Sequence, residues 1–250
     1  MGFGTKGGAE TIVHATIRFL EQEMKCGDVL VKLDFSNAFN TIFRDKLLNA
    51  VKDRLPELYP FLYQCYRDDS TLLYNDTEIL SSSGVQQGDP LGPALFSLIL
   101  QPIISSLCSK LNCWYLDDGI LGGLSKNVLT DLQTIIRDTA KIGLKLNPGK
   151  CEIFIQHSPN QKTILADFDK IAPGIKKLDA VNMTLLGAPL TDSALKPVLE
   201  CKIDTLRRLS SRLEGLMSHH AFHLLRHCLA TPRLQYILRC SPTWKELPLL

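Results

Sequence analysis

The sequence predicts an α+β fold, with helices on one face of a mainly antiparallel sheet. Short apolar segments alternate with longer segments of helical periodicity, as in DVLVKLDF (28–35) followed by RDKLLNAVKDRL (44–55). Residues 70–84 and 113–123 carry apolar runs on both sides of a short polar turn, and each predicts a hairpin. Hairpins mixed with helices favour this layered arrangement over a doubly wound parallel sheet.

The remaining elements follow from the same two periodicities. Helices are predicted over 10–24, 44–55, 90–111, 125–143, 192–216 and 220–230, and strands over 28–35, 151–155 and 183–190. Ser125 is the expected cap of the helix that Gly143 ends, and Pro102 is expected to bend the helix that contains it. The chain becomes basic and helical near Thr191, which is the expected domain boundary.

Composition sets limits on the function. The 250 residues carry a net charge of only +2, so the whole chain lacks the strongly basic balance typical of nucleic-acid binding. The last fifty residues contain eight Lys and Arg against three acidic residues, which is either a local binding surface or a solvated helix face. No apolar run reaches membrane-spanning length. The eight cysteines are dispersed, without a C-x-x-C pair, and predict free thiols.

A histidine series near the C-terminus has the spacing of a candidate zinc site. His219, His223 and His227 recur every four residues beside Cys228 and would share one helix face. They lie in a basic segment without a clear fourth ligand, so a polar or packing role is preferred.

Three aspartates are the strongest chemical signal in the sequence. Asp34 ends an apolar strand, and Asp117 and Asp118 lie at the turn of a predicted hairpin. If the strand ends are neighbours in one sheet, three carboxylates converge, and their repulsion requires a cation. Oxygen ligands suit Mg²⁺ or Mn²⁺. Taken alone, Asp117 and Asp118 also fit an ordinary acidic turn.

Four segments match a known family in content, order and spacing. KLDFSNAFN (32–40), GVQQGDPLGPALF (84–96), YLDD (115–118) and GLKLNPGKCEIF (143–154) resemble motifs A, B, C and D of reverse transcriptases. Residues 2–15 resemble the stretch before motif A in the non-LTR (LINE-like) retrotransposon branch, and TLLGAPL (184–190) resembles the primer grip. The resemblance covers roughly residues 1–190.

This resemblance implies an RNA-directed DNA polymerase that extends a DNA primer on an RNA template with dNTPs. Catalysis would fall to Asp34, Asp117 and Asp118, which with the Phe35 carbonyl would hold two Mg²⁺ ions, or Mn²⁺. The implied nucleotide-binding residues are Phe35, Ser36, Asn37, Ala38, Phe39, Gln87, Gly88 and Lys150. The implied nucleic-acid-binding residues are Tyr115, Leu186, Gly187, Arg207, Arg208 and Arg212.

Some of these roles have a simpler reading. Phe39 would exclude a 2′-hydroxyl by packing under the sugar. Without the motif around it, the same residue would be interpreted as a core aromatic. Lys150 would contact or protonate the phosphates, but a lysine after a Pro-Gly turn is usually solvated. The arginines would contact template–primer phosphates, or simply belong to a solvated helix.

The implied fold is the palm of a right-handed polymerase. Residues 1–27 would be partial fingers, 28–190 the palm with an interleaved fingers segment at about 52–90, and 191–250 a helical thumb or connection. Leu116 departs from the alanine usual in the non-LTR branch and is more common among LTR-type elements. The first fingers motifs normally precede GFGTKGG, so the chain is expected to be part of a larger element.

Two alternatives to this function remain open. A truncated or domesticated palm module would bind nucleic acid or protein without synthesis. A maturase-like protein would require a further domain after the thumb. Intracellular, nuclear location is expected from the resemblance alone, although no targeting run of Lys and Arg is visible; the oligomeric state is unknown.

Overall fold

A computed structural model describes residues 2 and 4–249 of the chain. The chain divides into two compact units, which are described separately. The first unit comprises residues 1–8 and 24–177, and the second comprises residues 9–23 and 178–250. These divisions differ from the predicted domain boundaries at residues 27 and 190, which stay predictions about functional domains.

A five-stranded sheet organises the first unit. Its order is β4-β5-β1-β6-β7, and all neighbours are antiparallel except β6 and β7. The strands are β1 (Asp28–Leu33), β4 (Leu111–Tyr115), β5 (Asp118–Leu124), β6 (Glu152–Ile155) and β7 (Lys176–Lys177), and a separate hairpin is formed by β2 (Ser70–Tyr74) and β3 (Thr77–Ser81). The prediction of a mainly antiparallel sheet with helices is therefore confirmed.

The helices of the first unit connect these strands. They are α2 (Ala38–Thr41), α3 (Arg44–Arg54), α4 (Tyr59–Tyr66), α5 (Gly92–Ser105), α6 (Ser125–Ala140) and α7 (Gln161–Ile171). Helix α1 (Gly8–Arg18) and the π-helical turn that continues it, Phe19–Glu23, belong to the second unit except for Gly8. Helices α4 and α7 lie outside the helices predicted from the sequence.

The central strand β1 has two different faces because successive side chains of a strand point to opposite sides. Val29, Val31 and Leu33 are at most 3% exposed and join the main core with residues of α3, α5 and α6. Lys32 and, beyond the strand, Asp34 alternate with them and therefore project from the other face. The main core thus fixes the backbone from which the acidic face projects.

The second unit is mainly helical. Besides α1 and the turn that continues it, its elements are a 3₁₀ turn (Ala180–Asn182), β8 (Thr184–Leu185), β9 (Ala188–Pro189), α8 (Asp192–Ser211), α9 (Ser218–Leu224), a π-helical turn (Leu225–Leu229), α10 (Thr231–Cys240) and a 3₁₀ segment (Thr243–Leu249). The Thr191 hydroxyl caps α8 by accepting a hydrogen bond from the Ala194 N–H at 3.2 Å. Leu195, Leu199 and Ile237 form its small core.

Several boundaries differ from the sequence predictions. Leu124, not Ser125, occupies the N-cap of α6, without a side-chain cap, so the predicted cap is wrong by one residue. The segment 183–190 forms two dipeptide strands around a turn instead of one strand. No helix within the described residues is long and apolar enough to cross a membrane.

Candidate active site

The turn between β4 and β5 presents the adjacent aspartates. Tyr115 pairs with Asp118, so Leu116 and Asp117 form a two-residue hairpin turn. Leu116 has a φ of 56°, in the left-handed region that a branched side chain rarely adopts. Asp117 is half-buried and Asp118 is exposed. The predicted strand–turn–strand is confirmed, and its tight turn determines where both carboxylates lie.

The register of the sheet brings Asp34 to the same place. Leu33 pairs with Gly119 across β1 and β5, so Asp34 and Asp118 are the next residues in that register. Cross-strand side chains at such positions have Cβ atoms roughly 5 Å apart. The three carboxylates therefore lie together on the sheet face opposite the main core.

Electrostatics reflect this crowding. Desolvation raises the pKa of Asp117 above its ordinary value, and the Asp34 carboxylate adds to the rise. Desolvation, followed by the charges of Asp117 and Asp34, also raises the pKa of Asp118, while Lys32 acts in the opposite direction. Lys32 itself is paired with Glu152 at 2.5 Å on the neighbouring strand.

Asp34 is held through its backbone by the segment 143–151. Its N–H lies 3.4 Å from the Cys151 sulfur, and its carbonyl accepts a hydrogen bond from the Asn147 N–H at 2.8 Å. Burial raises the pKa of the Cys151 thiol to about 11, so this sulfur stays protonated at neutral pH. These contacts fix the backbone and leave the carboxylate available.

The residues fit divalent cations on three observations. The Asp34 Oδ2 atom is buried and has no hydrogen-bond partner among the described residues, which is costly for a carboxylate oxygen. Asp117 and Asp118 lie beside it with raised pKa values. The donors are all oxygens, the type that Mg²⁺ prefers.

The protein alone does not form a complete cation cage. Within the described residues, no group of three or more His, Cys, Asp or Glu side chains is placed to hold an ion. The described histidines of the second unit likewise form no such group. Mg²⁺ is usually bound by one or two carboxylates together with water and substrate phosphates. One or two carboxylates would therefore need water or phosphate oxygens to complete the coordination of such an ion.

The segment after Asp34 forms a backbone loop and a short helix. Phe35 bridges to Leu146, and the Ser36 N–H donates to the Lys145 carbonyl at 2.9 Å. Asn37 is exposed, with a φ of 49°, and Ala38 is buried at the start of α2.

Phe39 is half-buried. Its ring stacks on Phe96 with 4.5 Å between the centroids and 15° between the planes. Phe96 is fully buried in the core, so the ring of Phe39 is backed by rigid structure on that side.

The predicted motif B residues lie close to motif A. Gln87 and Gly88 are exposed, and Gly88 has a φ of 92°. The Gln87 side-chain amide lies 3.4 Å from the Asn40 Oδ1 atom. The backbone N–H groups of Gly84 and Val85 donate to the carbonyls of Ile42 and Phe39 at 2.8 and 2.7 Å. Sequence reasoning missed Asn40 as a contact of motif B.

Lys150 and the second-unit residues have other surroundings. Lys150 is exposed in a turn, where its backbone N–H donates to the Asn147 carbonyl at 3.0 Å. Leu186 and Gly187 form the turn between β8 and β9, both with positive φ. The three arginines Arg207, Arg208 and Arg212 are exposed at the end of α8, and Arg207 is paired with Asp204 at 3.2 Å.

The family follows from a comparison with known proteins. The family model described as "Reverse transcriptase (RNA-dependent DNA polymerase)" matches residues 2–190. The chain therefore belongs to the reverse transcriptase family, as its four motifs predicted.

Individual relatives refine this assignment. The chain is similar to the retrovirus-related Pol polyprotein from the type-2 retrotransposable element R2DM of Drosophila melanogaster, with 25% identity over 192 residues. The match covers 70% of this chain and 18% of that protein. The predicted non-LTR type is confirmed by this relative together with the family match. Apo telomerase of Candida tropicalis, truncated from its C-terminal domain, aligns with a TM-score of 0.40 and 13% identity over 60% of this chain and 35% of that chain.

Proposed function

We propose that this chain is the polymerase core of a non-LTR retroelement and catalyses RNA-directed DNA synthesis. The substrates would be an RNA template, a DNA primer and deoxynucleoside triphosphates. The observation that supports this most strongly is the unpartnered Asp34 Oδ2 atom beside Asp117 and Asp118 on the sheet face. A buried carboxylate oxygen without a partner is retained where a ligand satisfies it.

Each carboxylate has a distinct place in this proposal. Asp34 and Asp117 would hold two Mg²⁺ ions, or Mn²⁺, with the Phe35 carbonyl as a further ligand, and Asp118 would support the site from the same turn. When bound, the ions supply the positive charge that lowers the pKa of the primer 3′-hydroxyl and neutralises the phosphates. The strands β1 and β5 keep the carboxylates in place, so little reorganisation is needed when substrate arrives.

The nucleotide would lie against motifs A and B. The backbone of Ser36, Asn37 and Ala38 would contact the triphosphate, and Phe39, backed by Phe96, would lie under the sugar. Gln87 and Gly88 would line the nascent base pair, where glycine allows close approach of the backbone. The exposed Lys150 would reach the phosphates.

The proposed domain roles extend the family assignment. The sheet with its helices would be the palm from 28 to 190, with fingers segments at 1–27 and about 52–90. Residues 191–250 would be the thumb, where Arg207, Arg208 and Arg212 contact the phosphate backbone. Leu186 and Gly187 would contact the primer, and Tyr115 would contact nucleic acid beside Asp118. Nuclear location is a further part of this proposal.

Single-nucleotide primer extension on an RNA template tests the proposal. We expect incorporation by the parent chain in Mg²⁺ and a loss of at least about 100-fold in Asp117→Asn, since removal of one preorganised electrostatic contact costs roughly that factor or more. A folded parent chain that incorporates nothing would contradict the proposal and favour a binding module without synthesis.

A further inference from the structure

The segment that carries Gln87 and Gly88 is held at its base and exposed at its tip. We define the motif B loop as residues 84–91. Gly84 and Val85 are buried, whereas Gln86, Gln87 and Gly88 are exposed. The hydrogen bond from the Gln87 side chain to Asn40 is long, at 3.4 Å, and a Cβ on Gly88 would meet no atom within 4 Å. The position of the tip therefore depends on what fixes the base.

Tyr66, the last residue of α4, contacts the loop at two points. Its side chain is 1% exposed. Its hydroxyl donates a hydrogen bond to the Asp89 Oδ2 atom and accepts one from the Gln86 N–H at 3.3 Å. The other carboxylate oxygen of Asp89 accepts from the Leu91 N–H at 2.8 Å. One phenol thus joins the residues on both sides of Gln87 and Gly88.

Arg44 supports this phenol and the start of the loop. It is 7% exposed, and its guanidinium lies 5.6 Å from the centroid of the Tyr66 ring. It donates to the carbonyls of Ser81 and Gly84 at 2.6 and 3.1 Å. A Cβ on Gly84 would lie 2.4 Å from the Asn40 backbone, so motif A and the loop are closely packed here.

The Tyr66 hydroxyl keeps its proton at neutral pH. Burial and the hydrogen bond to Asp89 raise the pKa of the Tyr66 phenol above its ordinary value, so the hydroxyl remains a donor. Hydrogen bonds to a charged partner are stronger than neutral ones. Removal of the hydroxyl would leave the Gln86 N–H and an oxygen of Asp89 without this partner, which costs more than the mean value of a hydrogen bond.

We propose that Tyr66, supported by Arg44, is a positioning residue for nucleotide selection, because it fixes the motif B loop in the conformation that presents Gln87 and Gly88 to an incoming deoxynucleoside triphosphate. This inference rests on the proposed polymerase function. Tyr66 itself does not touch the nucleotide. Its effect is the preorganisation of a binding surface that would otherwise have to be ordered on each binding event.

The test is the steady-state KM and kcat for a dNTP on an RNA template in Tyr66→Phe. This variant keeps the ring, its packing and its contact with Arg44, and removes only the hydroxyl. We expect the KM for the correct dNTP to rise about 10-fold with kcat within about twofold, because preorganisation acts on binding. Tyr59→Phe is the matched control, since no hydrogen bond of the Tyr59 hydroxyl is found within the described residues.

A double-mutant cycle distinguishes positioning from general destabilisation. If Tyr66 acts through Gln87, Tyr66→Phe has little further effect on the KM in a Gln87→Ala background. Independent, multiplicative effects of the two changes would overturn the inference. Hydrogen exchange adds a readout that needs no catalysis: the Gln86 and Leu91 amides must exchange faster in Tyr66→Phe and remain unchanged in Tyr59→Phe.

The outcomes separate this inference from the proposed function. A folded parent chain without incorporation overturns the proposed function and the role of Tyr66 in nucleotide selection together. An active parent whose Tyr66→Phe variant keeps the parental KM, or the parental exchange at Gln86 and Leu91, overturns the inference alone. Circular dichroism and thermal unfolding confirm that each variant is folded before it is compared.

Discussion

Leu33 and Gly119 lie directly opposite each other in the antiparallel pair of β1 and β5. Asp34, which follows Leu33 directly after β1, and Asp118, which precedes Gly119 in β5, are the next residues in this register. The separation of these carboxylates is therefore set by backbone hydrogen bonds near the middle of a five-stranded sheet. The rigid sheet keeps these carboxylates together although their negative charges repel one another. A bound cation would reduce this repulsion.

The first prediction concerns stability without divalent ions. The folded-state pKa of Asp117 is raised, so the folded chain binds this proton more tightly than the unfolded chain. Stability is then lost as pH rises from the ordinary Asp pKa of about 4 through the raised value. We expect Asp117→Asn to unfold at a higher temperature than the parent at pH 7 in EDTA, with a smaller difference at pH 4.

Asp138 provides the control for this prediction. Hydrogen bonds from Arg137 and Lys141 lower the pKa of this half-buried carboxyl, which is the opposite direction. Asp138→Asn should therefore give no stabilisation at pH 7. A stabilisation by Asp117→Asn that is the same at both pH values would contradict the electrostatic explanation.

The second prediction concerns the glycine after the aspartates. A Cβ on Gly119 would lie 2.6 Å from the ring of Trp114, which is 1% exposed. Gly119→Ala must displace this ring and should lower the free energy of unfolding by about 1–3 kcal/mol. Urea denaturation measures the change. Gly215→Ala is the control, because a Cβ there meets no atom within 4 Å, and equal losses in both variants would contradict the argument.

The third prediction concerns sugar selection. If Phe39 lies under the nucleotide sugar, Phe39→Val should raise ribonucleotide incorporation relative to deoxynucleotide incorporation by about 10-fold or more, as expected for a steric pocket. Phe39→Tyr, which keeps a bulky ring over Phe96, should retain the parental selectivity. Competition between rNTP and dNTP in primer extension measures this ratio. An unchanged ratio in Phe39→Val would assign the ring to core packing alone.

The positions of the three aspartates could be read from the sequence for a physical reason, whereas their role in catalysis stays a prediction. Asp34, Asp117 and Asp118 lie at strand ends and in a tight turn, which are local features with clear residue signatures. The sequence left open whether the two strand ends are neighbours, and the pairing of β1 with β5 in the structure brings them together. The strained turn at Leu116 follows from the same two-residue connection, although its positive φ was not predicted.

The support of motif B could not be predicted in the same way. Tyr66 and Arg44 contact the loop across 20 and 40 residues of sequence, and neither lies in a predicted motif. Their contacts depend on how α3 and α4 pack, which periodicity alone does not determine. The α6 cap was wrong for a related reason: Ser125 fits the cap pattern, but the preceding strand extends to Leu124 and shifts the helix start.

The fourth prediction concerns the basic helix. Phosphate contacts make binding depend on salt, and each lost contact should reduce the slope of log K against log salt concentration by about 1. Combined replacement of Arg207, Arg208 and Arg212 by alanine should therefore reduce the slope for an RNA–DNA duplex by about 3. Fluorescence anisotropy at several salt concentrations measures this. Arg137→Ala, which changes an exposed arginine of the first unit, should leave the slope unchanged. An equal slope in the parent, the triple variant and this control would show that the three arginines do not contact the phosphates.

The proposed role of Asp34 and Asp117 is to hold the divalent ions of nucleotidyl transfer. Its most direct test is the affinity for Mn²⁺, measured by electron paramagnetic resonance with template–primer and dNTP present. We predict that Asp34→Asn and Asp117→Asn each weaken binding at least about 10-fold, as expected for changes at a metal site, while Asp138→Asn matches the parent. Parental affinity in both active-site variants would show that Asp34 and Asp117 do not hold the ions.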